Sequence, residues 1–438
     1  MIKKRKSLLF TGLIFFSVVS LAGADEARSI WNKRAVTPQQ LVKSDNPWNI
    51  QIPSKDGFII EYAAPKLSPL VVHIQDAHAN PPAQVHISAI LRDLVGQHQF
   101  KLVCVEGADG GFDDSLFNID KPNLKEKVVR YFLNDARLTG AEYEWILHSQ
   151  PAASYSVPFT LWGIEDQEIY TEHWNVWEKT QKVQKETVEL AEQVLKKVHS
   201  NYGKYASEGL LRYEQIAEAF RQGVSGLKDY LQELSKILEK NPVDMSQYPE
   251  TTKLLNILKG EQTGALMVGL TSTGELDRLE QEIRLALVGS PSEKEYVQWS
   301  RLTGLFVRFV KLEMTPAEWK EYQPQMPTWE SFATEKLQVV LPDLTPFRQF
   351  YELAQKRDQI LFENAFSKMG EIEQNRLVLI AGGFHSYGIT DHLREKKIPY
   401  VVIAPMVDAP TDPAVYTKAM HGQPLTEKEV QETIVKVQ

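Results

Sequence analysis

The chain has 438 residues, 43% of them hydrophobic and 24% charged, so it carries ample apolar content for one large domain or two. Its net charge of −8 excludes the basic surface that a nucleic-acid-binding protein presents. A single cysteine, Cys104, excludes an internal disulfide framework and leaves stability to the core.

Residues 1–24 read as a targeting segment. Lys3, Lys4, Arg5 and Lys6 form a positive start, Leu8 to Val19 a short apolar stretch, and Ala22-Gly23-Ala24 a cleavage site. This predicts an exported chain, periplasmic or secreted, beginning at Asp25 and without a stable membrane span. Residues 25–60, with Trp31 and Trp48, are expected to form an N-terminal extension that ends in a strand at Phe58 to Tyr62.

Residues 61–167 form the first half of an α/β domain. Leu70 to Ile74 is a β-branched run with His73 set into it, and it ends abruptly in Gln75, Asp76, His78 and Asn80. Asn80 followed by Pro81 and Pro82 opens a helix, with Ile87, Ile90, Leu91 and Leu94 at helical spacing. A second apolar strand, Leu102 to Val105, ends in Glu106 and the glycine-rich turn Gly107 to Gly111. This strand–helix–strand order predicts two parallel strands whose polar ends share one carboxyl edge. Two helices within 122–150 lead to a third strand near 158–164, ending in Glu165 and Asp166.

From 168 to 340 the pattern turns helical. Val183, Thr187, Leu190, Val194 and Val198 keep three–four spacing, and Leu227, Leu231, Leu234 and Leu238 continue it. Breaks at Asn241-Pro242, Gly264 to Thr273 and Gly289 to Pro291 divide the segment into hairpins, and Thr315 to Glu318 is a capping box. This is a large helical insertion.

Residues 341–438 complete the α/β domain. A long amphipathic helix from Thr345 places Asp358 on the stripe of Phe347, Tyr351, Ala354, Leu361, Ala365 and Met369, with Arg357 on its shoulder. A charge on a core-facing stripe has to be paired or face a polar site. The strand Arg376 to Ala381 ends in Gly382-Gly383 and His385, and a last strand spans 398–403. The fold class is therefore α/β: a central, mainly parallel sheet with helices on both faces and a large helical insertion.

These motifs bring a family into view. A polar-x-x-His after the first strand, Glu after the second, an Arg-Asp helix and Gly382-x-x-His385 resemble the Tiki/TraB, ChaN-type haem-binding and erythromycin-esterase-like superfamily. The match covers about residues 65–110 and 343–405, and Gln75 stands where that family usually carries glycine. The resemblance implies that His78, Glu106 and His385 are the shared polar residues and Arg357 the helix arginine. Members include metal-dependent peptidases, esterases and haem binders.

Two function classes follow. In the first, His78, Glu106 and His385 ligate Zn, Mn, Co or Fe and a hydrolase cleaves a small-molecule or peptide substrate, with Asp76, Glu165 or Asp166 orienting a ligand or acting as base. The same His/Glu set also serves metal-free acid–base hydrolysis. In the second, the chain binds haem or another flat ligand, with Tyr387 or His385 axial. A serine nucleophile at Ser386 lacks the Gly-x-Ser-x-Gly turn, and Cys104 sits in an apolar strand where a thiol stays protonated.

Overall fold

The computed structural model describes residues 46–148, 159–221, 225–258, 275–409, 415 and 424–438. The targeting segment expected at residues 1–24, and the break expected at Gly264 to Thr273, lie outside the described residues. Two compact units are present: Asn175–Glu352 forms one, and the described residues within 46–174 and 353–438 form the other.

The second of these is the α/β unit. It holds a seven-stranded sheet built from β1 (Gly57–Ala63), β2 (Leu70–Asp76), β3 (Leu102–Val105), β4 (Asp109–Gly111), β5 (Thr160–Ile164), β6 (Arg376–Gly382) and β7 (Tyr400–Pro405). Their spatial order is β1-β7-β2-β6-β3-β5-β4. The five inner strands run parallel, and the edge strands β1 and β4 run antiparallel to their neighbours. The fold is α/β with a mostly parallel sheet, as the unbroken apolar runs predict. One local feature differs from the sequence reading: the glycine-rich turn after Glu106 carries β4. Gly163 makes room for that pairing, because a Cβ there would collide with the backbone of Ala108.

Alternating strand residues feed two cores. On one face Leu70, Val72, Ile74, Val103, Val378 and Ile403 pack with Ile87, Leu91 and Leu94 of helix α1 (Pro81–His98) and with Ala141 of α3 (Gly140–His148). On the other, Val71, Cys104, Leu377, Leu379 and Val402 meet Leu361, Ala365 and Met369 of a long C-terminal helix, together with Ile389 and Leu393 of the helix that follows β6. Each fully buried Leu, Ile or Val contributes roughly 1.5–3 kcal/mol. Helix α2 (Pro122–Asn134) packs a satellite core with α14 (Glu427–Val437) around Phe117, Phe132 and Val430.

The other unit is helical. Its elements are α4 (Gln167–Tyr202, shared with the α/β unit's boundary), α5 (Glu208–Arg221), α6 (Leu227–Lys240), α7 (Pro249–Leu258), α8 (Glu275–Leu287), α9 (Pro291–Lys311), α10 (Pro316–Tyr322) and α11 (Met326–Ser331). Tyr213, Tyr230, Leu234, Leu279 and Ile283 form its buried centre. The Thr315/Glu318 capping box forms as the sequence predicts. Helices α12 (Thr345–Glu371) and α13 (Gly383–Glu395) follow, α12 starting in this unit. Among the described residues no helix is long and apolar enough to cross a membrane.

Candidate active site

Strand order decides where the polar strand ends go. β6 arrives from the C-terminal part of the chain and inserts between β2 and β3, pairing Asp76 with Gly382 and Val105 with Ile380. Three parallel neighbours then end side by side. The turns after β2 and β3 and the first turn of α13 after β6 deliver His78, Glu106 and His385 to one point at the carboxyl edge.

Glu106 is the hub. Its Oε2 accepts the Gly382 backbone N–H at 2.7 Å and lies 3.8 Å from His78 Nε2. Its Oε1 lies 3.5 Å from His385 Nε2 and accepts from Arg357 Nη2 at 3.2 Å. On the far side of each ring stands an aspartate: Asp76 Oδ2 is 2.7 Å from His78 Nδ1, and Asp358 contacts His385 Nδ1. The result is a five-member chain, Asp76–His78–Glu106–His385–Asp358, in which Asp76 is half-buried and the other four are buried.

Local backbone chemistry holds this chain in place. Asn80 caps α1 by accepting the Ala83 N–H at 3.1 Å, which fixes the turn that carries His78. Gly382 must lack a side chain, since a Cβ would sit 2.7 Å from His78 Nε2. Gly388 opens the space that the Asp358 carboxylate fills. Arg357, fully buried, also contacts Glu165, donates toward His173 Nδ1 at 3.3 Å and stacks over the Tyr170 ring at 5.1 Å. Its guanidinium thereby ties β3 and β5 to α12.

These contacts set the charge states. Burial opposes ionisation of Glu106, but the facing His385, His78 and Arg357 outweigh it and hold the carboxyl well below the usual range. Burial likewise disfavours the His78 cation, yet Asp76 and Glu106 raise its pKa to about 10. His78 is therefore an imidazolium at neutral pH, with an N–H directed toward Glu106. Asp358 is pushed up by burial, offset in part by His385 and Arg357.

A cavity of about 20 Å³ opens beside this chain, lined by Asp76, His78, Gln84, Glu106, Thr139 and Glu142 and by the apolar Ile87, Val105, Phe112 and Ile380. That is room for a water, which needs at least about 10–15 Å³ and two or more polar partners.

Of the residues singled out from sequence, the structure brings together Asp76, His78, Glu106, His385 and Arg357. Glu165 stands one layer back, bound to Arg357 and accepting the Gly107 N–H at 3.3 Å, and it does not line the cavity. Asp166 is a helix cap, its Oδ1 accepting the N–H groups of Glu168 and Ile169, which removes it as a candidate base. Tyr387 lies on α13 and does not line this cavity. His73 is a core histidine: Nδ1 donates to the Leu379 carbonyl at 3.1 Å, Nε2 accepts from Ser386 Oγ at 2.8 Å, and burial pushes its pKa down to about 4. Cys104 is buried and free, its thiol pushed up by burial to about 12.

The expected three-ligand metal centre fits this arrangement poorly. Each histidine does have the aspartate on Nδ1 that metal-ligating imidazoles favour. Glu106, however, already accepts from a backbone N–H and a guanidinium, so a dication there would face the fixed charge of Arg357. Among the described residues no group of three or more His, Cys, Asp or Glu side chains has the geometry to hold a metal ion.

Two contributors were missed in the sequence. Gln84, in the apolar stripe of α1, donates to Asp76 Oδ1 at 2.6 Å and accepts the Gly140 N–H at 2.6 Å, joining the site to the start of α3. Glu142, three residues past Thr139, lines the cavity. Its only sequence signal is a capping-box glutamate at the head of a short helix.

Comparison with protein-family models, with curated proteins and with solved structures finds no match for this chain.

Proposed function

We propose that the chain is a hydrolase that cleaves a neutral ester or amide by metal-free acid–base chemistry at the carboxyl edge of its sheet. The observation that carries this reading is the water-sized cavity bounded by an imidazolium and three carboxyl groups. A water in it would lie beside His78, whose Nδ1 is held by Asp76 and whose Nε2–H is free to turn from Glu106 to an oxygen that gains charge in the transition state. Asp76 holds the ring at Nδ1 and with Glu106 keeps it cationic, while His385, His78 and Arg357 keep Glu106 ionised. Three carboxyl groups around so small a space disfavour an anionic substrate such as a phosphate ester. The likeness of the four motifs to a superfamily with erythromycin-esterase-like members supports hydrolysis, and it is those esterase members that imply a metal-free His/Glu site. The Lys3–Lys6 and Ala22–Ala24 pattern supports action outside the cytoplasm.

The test is hydrolysis of p-nitrophenyl acetate by purified protein before and after EDTA. Activity should survive the chelator, and His78→Gln should lose on the order of 10²–10³-fold, the usual effect of removing one donor from a developing oxyanion. Activity lost to EDTA and restored by Zn or Mn would overturn the metal-free reading.

A further inference from the structure

We infer that Glu142 is the proton acceptor of this site, taking a proton from the water in the cavity while His78 faces the substrate oxygen. The inference rests on the hydrolase reading above and supplies the base that reading leaves open. The other carboxylates are engaged: Asp76 with His78 and Gln84, Glu106 with Gly382 and Arg357. Glu142 is not. Its Oε2 accepts the Thr139 N–H and hydroxyl at 2.8 and 2.9 Å, whereas its Oε1, fully buried, has no hydrogen-bond partner among the described residues.

Capping α3 does not account for that free oxygen. A capping box works with glutamine as well as with glutamate, so the cap needs neither a charge nor a titrating group. An ionisable group left buried with one bare oxygen is unfavourable for the fold, and here that oxygen belongs to a side chain lining a cavity that admits water. The groups facing it across the cavity are Asp76 and Glu106, both acidic, and the His78 cation; Thr139 and Gln84 complete the polar wall. Burial, offset partly by Thr139 and reinforced by Asp76, brings the Glu142 carboxyl up to about 7. A general base is most effective when it titrates near the working pH.

The step balances without a further reactant. The water oxygen forms a bond to the carbonyl carbon as its proton passes to Glu142 Oε1, and the carbonyl electron pair moves onto oxygen facing His78. As the tetrahedral intermediate collapses, the bond to the leaving oxygen or nitrogen breaks and that atom takes the proton from Glu142. Acid and alcohol, or acid and amine, leave, and Glu142 is again ionised.

The experiment is the pH–rate profile of p-nitrophenyl acetate hydrolysis for the full chain, Glu142→Gln, Glu142→Asp and His78→Gln. The wild type should show a rising limb near pH 7. Glu142→Gln should lose at least about a hundredfold and lose the limb, the usual contribution of a positioned base. Glu142→Asp, with its carboxyl drawn back, should keep a limb at reduced rate, and it decides the matter if the Gln variant does not fold. If Glu142→Gln retains both rate and limb while His78→Gln is inactive, Glu142 is only a cap and the hydrolase reading stands. No hydrolysis by the wild type overturns both.

Discussion

At the scale of single residues the site depends as much on missing side chains as on present ones. Gly388 lets the Asp358 carboxylate reach His385, and a methyl group there would overlap that carboxylate. Gly388→Ala should therefore destabilise the protein by about 1–3 kcal/mol, the usual penalty for overpacking, in urea denaturation. Gly382→Ala should act differently, because its methyl would meet the His78 ring rather than the Asp358 carboxylate. It should lower the rate of ester hydrolysis more than stability, and an unchanged rate would mean that His78 does not need its present position. Neither effect was legible in the sequence, where Gly382 read as the first position of Gly382-x-x-His385 and not as space for His78. His78, Glu106 and His385 were legible because each follows an apolar strand, and such strands end at a common edge. Glu142 was not, since Thr139-x-x-Glu142 is indistinguishable from an ordinary cap until α3 is seen against α1.

At the scale of elements, α12 does what its pattern suggested. Consecutive residues of a helix point about 100° apart, so Arg357 and Asp358 can serve two neighbours at once: Arg357 the carboxylates of β3 and β5, Asp358 the histidine of α13. Arg357→Ala strands Glu106 and Glu165 as buried charges and should cost roughly 3–5 kcal/mol in chemical denaturation. Adding Glu165→Gln should recover part of that loss, because one of the two stranded charges is then gone. Equal stability of the single and double variants would show that Glu165 is solvated rather than paired. The helix positions were readable from periodicity. Their partners were not, because Glu106 and Arg357 are 251 residues apart and only β6 inserting between β2 and β3 brings their elements together.

At the scale of the whole molecule the buried charges tie folding to pH, and Glu142 gives the clearest sign. Its carboxyl titrates at about 7 in the folded chain against an ordinary 4.5, so between these values the folded state holds a proton that the unfolded state has released. Stability must then fall as pH rises through that window, with the loss complete above about pH 7 and on the order of 3 kcal/mol for a shift of this size. His78 has the same sign over a higher window: its contribution is full below about 6.5 and disappears as pH rises through about 10. Glu106 works in the opposite sense and at the acid end, since its depressed carboxyl favours folding above its ordinary pKa. Across about pH 5 to 6.5 the buried His73, depressed to about 4, opposes Glu142, because its contribution to stability rises with pH. Glu142 is therefore isolated by the difference between the wild type and Glu142→Gln, in which His73 cancels. Glu142→Gln keeps the Thr139 cap without a proton to lose, so its stability in urea should gain on that of the wild type as pH rises across this window and exceed it at pH 8. A variant that is inactive yet more stable at alkaline pH is the pattern expected of a group retained for chemistry against the interest of the fold. Parallel pH curves for the two proteins would instead place that carboxyl in contact with solvent, with an ordinary pKa.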